Sequence, residues 1–278
     1  MKKFYVTLIG AFFIGCNNSP QTPTKEIDVE TELKILKKYS IDQSQLVNFE
    51  GYYLFDILET DGKFNLYLLD KNYNIAKKQN IKGVIEPKKL KTFKDKIYIL
   101  GYDQEKNQTI LLTFDKNLKE LKREYFGNKF ETPRDMIIKE NSIIVALNSY
   151  KNGISSIKIV KNNNSYLFSL KTNNTNINFI KAFKDGFILA GEVQNETGNA
   201  LLICVDKNFK TLWIRDLDLG LEENVKKLKV TKNSIIATII SQNYTGMEEE
   251  WDIEIDENGK ILTKNKNFTI NDIPLQFK

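Results

Sequence analysis

The sequence predicts an all-β chain built from repeated four-stranded antiparallel units, and two recurring markers predict it. The first is a turn: Asp70 in LDKNYN, Asp115 in FDKNLK, Asp206 in VDKNFK and Asp256 in IDENGK, with Lys161 opening KNNNS at the matching place. The spacings are 45, 46, 45 and 50 residues. The second marker lies upstream of each turn, where a small-polar pair leads into an apolar run. It reads EGYYLF from Glu50, DKIYIL from Asp95, NSIIVA from Asn141, DGFILA from Asp185 and NSIIAT from Asn233, at spacings of 45, 46, 44 and 48. Two independent markers sharing one period argue against coincidence.

Within each unit the first strand alternates loosely, as in KKLKTF. The second is a continuous apolar run, such as FILAG or IIVAL, which suits a strand covered on both faces. A polar loop follows, then a third apolar strand such as TILLTFD or ALLICVD. The Asp-Lys-Asn turn comes next, because Asp and Asn bond their own backbone and tolerate the left-handed conformation. The fourth strand, LKREYF or TLWIRDL, mixes an aromatic with charges, as an outer strand facing water should. Four antiparallel strands at a period near 45 predict a β-propeller over residues 32–278, with repeats starting near 45, 88, 134, 178 and 224. Five blades are favoured and six are the alternative. ELKILKKYSI (Glu32 to Ile41) parallels the fourth strand LKELKREYFG, and the tail NDIPLQFK parallels a first strand, so either end is a candidate for the seam.

The N-terminus is set apart from the fold. Lys2 and Lys3 precede an apolar run from Phe4 to Ile14, shorter than the roughly 20 residues a bilayer span needs. Residues 1–15 therefore read as a signal peptide. The run ends in Phe13-Ile14-Gly15-Cys16, which resembles the lipobox of bacterial lipoproteins, except that Phe13 stands where that family usually has Leu. The resemblance implies cleavage before Cys16 and lipidation of its sulfur. Each buried acyl CH₂ then contributes about 0.8 kcal/mol of membrane affinity. Residues 16–31 open with the polar, proline-containing stretch NNSPQTPTKE and read as a flexible tether.

Composition narrows the chemistry. The chain has no histidine, which removes Ser-His-Asp and Cys-His catalysis and ordinary zinc sites. With Cys16 committed to lipid, Cys204 is the second of two cysteines and sits in the apolar run ALLICVD, as a buried inert thiol. A net charge of +5, spread evenly, gives no footprint for nucleic acid. No phosphate-binding glycine loop is present, and no cofactor or metal is expected.

The repeats resemble those of bacterial envelope propellers, whose units read roughly DGGYILAG, an apolar strand, D-x-N-G and then Trp. DGFILAGEVQNETGNALLICVDKNFKTLW (Asp185 to Trp213) matches nearly throughout, and DKIYILGY, LLTFDKN and WDIEIDENGKIL match in part. With its anchor and blades, the chain is similar in general class to the propeller lipoprotein of the outer-membrane β-barrel assembly machinery. The resemblance implies a fold and carries little about activity.

Aligned first strands yield one informative column: Val47, Lys91, Ile137, Lys181 and Lys229. First strands line a propeller's channel, so Lys91, Lys181 and Lys229 are candidates for an anion-attracting ring. Lysines that merely snorkel to water along the strand surfaces are the plain alternative. The acidic run MEEEWDIEID reads as a half-buried strand: Trp251, Ile253 and Ile255 face inward and Glu250, Asp252, Glu254 and Asp256 face water. The aspartate of each Asp-Lys-Asn turn is structural, since turns in separate blades cannot share an ion. These features together predict a non-catalytic binding or scaffold lipoprotein of the bacterial cell envelope. It would be held to a membrane by lipid, the outer membrane favoured, with a protein or glycan partner. A carbohydrate-active or lactonase-type propeller enzyme is the alternative.

Overall fold

The computed structural model describes residues 27–39, 46–58, 63–139, 142–151, 154–161, 164–168, 175–193, 198–243 and 245–269. Cys16, the predicted signal peptide and most of the predicted tether lie outside them, as does the tail from residue 270.

The strands form five sheets in chain order. The first contains β1 (Leu46–Phe49), β2 (Tyr52–Leu58), β3 (Phe64–Leu69) and β4 (Ile75–Ile81). The second contains β5 (Ile85–Phe93), β6 (Lys96–Asp103), β7 (Gln108–Asp115) and β8 (Glu120–Phe126). The third contains β9 (Glu131–Lys139), β10 (Ser142–Lys151), β11 (Ile154–Lys161) and β12 (Asn164–Phe168). The fourth contains β13 (Thr175–Phe183), β14 (Gly186–Val193), β15 (Asn199–Val205) and β16 (Thr211–Leu217). The fifth contains β17 (Leu221–Val230), β18 (Ser234–Gln242), β19 (Glu248–Asp256) and β20 (Ile261–Thr269). Within a sheet each strand pairs antiparallel with its chain neighbour. The predicted repeat starts fall on or beside the five first strands.

Apolar layers between successive sheets make the core. Leu54 and Leu66 meet Ile99 and Leu112 between the first and second sheets. Leu100 and Leu111 meet Met136 and Val145 between the second and third. Ile144 and Ile159 meet Leu189 and Ile203 next, and Ile188 and Leu202 meet Ala237 and Ile253 last. Second and third strands thus serve a layer on each side, which is why their sequences run apolar without alternating. The fourth strands β4, β8 and β16 are largely exposed. First strands adjoin one another, with β9 against both β5 and β13, and β13 against β17.

The predicted Asp-Lys-Asn hairpins join third and fourth strands as expected. In each, the aspartate Oδ1 accepts the backbone N–H two residues on and four residues on. For Asp206 these are Asn208 at 2.8 Å and Lys210 at 2.9 Å. Asp70, Asp115 and Asp256 repeat the pattern within 0.1 Å. The residue three beyond each aspartate is left-handed: Tyr73 (φ 62), Leu118 (φ 59), Phe209 (φ 64) and Gly259 (φ 81). A turn followed by a left-handed residue adds one position to the strand, and the register of each hairpin shifts there. The backbone N–H of Asn74 in particular holds the Asp70 carboxyl below the usual carboxylate range. The turn expected after Lys161 lies outside the described residues.

One element corrects the sequence reading. Glu32 to Ile41, likened to a fourth strand, is helical as far as Tyr39, in α1 (Val29–Tyr39). The helix also takes in the last three residues of the stretch expected to be tether. Thr31, Ile35 and Tyr39 recur every fourth residue and share the face turned to the protein, a helical spacing, whereas strand alternation would have buried Leu33 with Ile35. Asp28 caps the start, accepting the Thr31 N–H at 2.9 Å and its hydroxyl at 2.8 Å. Ile35 then packs on Phe55, Tyr67 and Leu69, covering the face of the first sheet that no other sheet covers among the described residues.

Candidate functional site

The lysine column is in register across the sheets. Lys91 pairs opposite Tyr98, Lys181 opposite Ile188 and Lys229 opposite Ile236, with Val47 and Ile137 at the same places in the first and third sheets. Three of these side chains meet the following sheet in the chain: Val47, Lys91 and Ile137. Val47 and Ile137 accordingly enter apolar layers. Lys91 reaches across to the third sheet, where its ammonium donates to Asp135 Oδ1 at 2.8 Å and to the Met136 carbonyl. Asp135 is fully buried, and its second oxygen accepts the Ile180 N–H of β13 at 3.1 Å. One carboxylate therefore ties together the first strands of three consecutive sheets. Burial holds the Lys91 amine below its usual range; Asp135 opposes that shift, and the nearby charge of Lys181 adds to it. Lys91 and Lys181 are thus close enough to repel. Two of the Lys91 donors are already spent on the protein. Lys229 is half-buried on β17.

The sequence reading missed a second repeated feature of the first strands. Each of β5, β9, β13 and β17 carries a bulge at the same place, leaving Lys88, Arg134, Asn178 and Lys226 as the extra residues. A bulge lifts a residue out of the strand's alternation and re-aims its side chain. Asn178 hydrogen-bonds Asn224, Lys226 sits 3.6 Å from Glu250, and Lys88 pairs with Glu86. Arg134 is exposed and makes no side-chain hydrogen bond or ion pair among the described residues. Pro87 and Pro133, just before two of these bulges, were the available signal.

Between the second and third sheets, where their first strands begin, lies an open cleft of about 320 Å³. Glu86, Lys88 and Tyr102 line one side, and Phe130, Thr132 and Arg134 the other. Phe130 is 63% exposed and left-handed (φ 66), an unusual conformation for a bulky side chain. The turn bearing it is firmly held. The Phe130 N–H donates to the Asn107 carbonyl at 2.9 Å. The next residue, Glu131, is buried and accepts the Asn128 N–H at 2.6 Å and the Lys158 ammonium at 3.0 and 3.1 Å.

The acidic run behaves largely as predicted. Ile253 and Ile255 are fully buried in the last layer, with Trp251 packed against it. The acidic face is less solvated than expected, because neighbouring strands supply its donors. Glu250 is buried and accepts from Asn267 at 3.2 Å, Asp252 from Thr238 at 2.7 Å, and Glu254 from Ser234 at 2.6 Å. Cys204 is buried in the same layer, which pushes its thiol up to about 11. In a Cys16→Ser protein, Cys204 should resist iodoacetamide at neutral pH until denaturant is added. Equal labelling rates with and without denaturant would contradict this burial.

No protein-family model matches the sequence, and none of the curated proteins resembles it in sequence. Solved structures resemble it in fold. A variant of the Synechocystis apocarotenoid oxygenase superimposes with a TM-score of 0.52 at 10% identity, over 78% of this chain and 58% of that one. A putative TolB from Agrobacterium tumefaciens gives 0.50 at 8% identity, over 79% and 77%. The chain thus spans little more than half the length of the oxygenase. The sheets and these likenesses define the class: an all-β chain of four-stranded antiparallel sheets in a propeller arrangement. At such identities the likeness concerns the fold alone.

Proposed function

We propose that this chain is a non-catalytic binding or scaffold propeller of the bacterial cell envelope, lipid-anchored through Cys16 and serving a protein or glycan partner. In this reading the five sheets are the blades of one ring, and α1 covers the first blade at the seam. The observation that carries the proposal is the open cleft, with an exposed aromatic and an exposed guanidinium on a rigid frame. The two buried acids of β9 support binding over catalysis: Asp135 accepts two backbone N–H groups and the Lys91 ammonium, and Glu131 accepts the Asn128 N–H and the Lys158 ammonium, so their oxygens are spent on the fold. Lys181 and Lys229 would lend the channel a positive bias, whereas Lys91 is compensated by Asp135.

The test has two arms. Wild-type protein should fractionate with membranes and Cys16→Ser protein with the soluble fraction. Crosslinking of the wild type in cells should trap a reproducible partner. A soluble wild type would overturn the anchor, and the absence of any crosslinked partner would overturn the binding role.

A further inference from the structure

We infer that the cleft between the second and third sheets is a peptide-binding site. Its ligand is a segment of a partner protein in which an acidic residue stands next to an aromatic or large apolar one. This inference rests on the binding reading above and names the partner's chemistry.

Three independent observations converge on the cleft. Arg134 projects from the bulge of β9, exposed and without a side-chain partner among the described residues. Lys88 across the cleft already has Glu86, so the uncompensated charge is the guanidinium. A guanidinium offers paired N–H donors whose geometry matches a carboxylate. Phe130 presents most of its ring to water from a backbone conformation that costs strain. Folding gains nothing from that exposure, yet the buried Glu131–Lys158 pair and the Asn107 carbonyl fix the turn in place. An exposed aromatic whose backbone is already fixed loses little main-chain freedom on binding. Tyr102 and Thr132 line the same walls.

The size of the cleft argues for a peptide. At about 320 Å³ and open to solvent, it has room for roughly one large side chain beside a carboxylate, at the small end of ligand pockets. A free small molecule would leave much of its surface in water there. A chain segment can place two adjacent side chains in the cleft and run on across the surface.

The experiment is a display selection of random short peptides on the full-length wild-type protein, followed by affinity measurements with the winning peptide. Selected sequences should carry Asp or Glu beside Phe, Tyr, Trp or Leu. Arg134→Glu should weaken the winner at least ~10-fold. Phe130→Gly should do the same while leaving the fold intact, since glycine suits the left-handed backbone. Added salt should weaken the wild-type interaction more than that of Arg134→Glu. No enrichment for acidic residues, or equal binding by wild type and Arg134→Glu, overturns the assignment. The crosslinking assay separates the two levels: if Arg134→Glu traps the same partner as well as the wild type does, the cleft assignment falls and the binding role stands.

Discussion

Asp135→Ala should cost the protein about 3–5 kcal/mol of stability, the usual penalty for removing one partner of a buried ion pair. The substitution leaves the Ile180 N–H without its acceptor and strands the Lys91 ammonium in a poorly hydrated site. The Lys91 side chain keeps about 25% of its surface exposed, which draws the expectation toward the lower end of that range. A double-mutant cycle in urea checks the account. Lys91→Met should recover part of the loss in the Asp135→Ala background, because it removes the stranded charge. The pH dependence has a definite sign. The amine already lies below its ordinary 10.5, and losing Asp135 removes the influence that raises it. The variant should therefore regain stability as pH climbs toward 10.5, where the unfolded chain binds the proton more tightly than the folded one. A loss under about 1 kcal/mol would show that the three first strands do not depend on this carboxylate.

Gly191→Ala should be nearly as damaging, and by a different route. A methyl group there would lie 2.0 Å from the Asn176 carbonyl oxygen and 2.8 Å from the Ile177 Cα. Both belong to β13 beside its bulge, so backbone and not a movable side chain blocks the space. The expected loss is about 3 kcal/mol or more, the upper end of what overpacking costs. Gly101→Ala, at the matching place in the second sheet, meets the Glu86 carbonyl at 2.9 Å and should cost less. Gly246→Ala meets nothing within 4 Å and pays only for its left-handed backbone. Urea midpoints for the three variants should fall in that order, with Gly191→Ala lowest. Gly191→Ala as stable as Gly246→Ala would refute the packing argument.

Much of the architecture was legible because it repeats. The Asp-Lys-Asn turn gave the period, and its hydrogen bonds depend only on residues within the turn, so one copy explains the others. Cys204 was legible for the same local reason, being enclosed by its own apolar run. The helix α1 was obscured because LKILKKY and LKELKREY share a composition; only the spacing of Thr31, Ile35 and Tyr39 separates them. The Lys91–Asp135 pair was hidden although its members stand 44 residues apart, one repeat, because it joins different positions of neighbouring sheets and not equivalent ones. Phe130 and Arg134 were hidden more deeply. Their prominence comes from a left-handed turn and a bulge, which depend on how β9 meets its neighbours.

The layered core has a consequence for how this molecule responds to damage. Each sheet is a hydrogen-bonded ladder of its own, and what joins it to the next includes a seam of side chains such as Leu100, Leu111, Met136 and Val145. Among the described residues, then, the apolar layers couple each sheet to its immediate neighbours, as in repeat proteins. A lesion in one seam therefore falls first on the two units it joins, and reaches the others only through the seams between them.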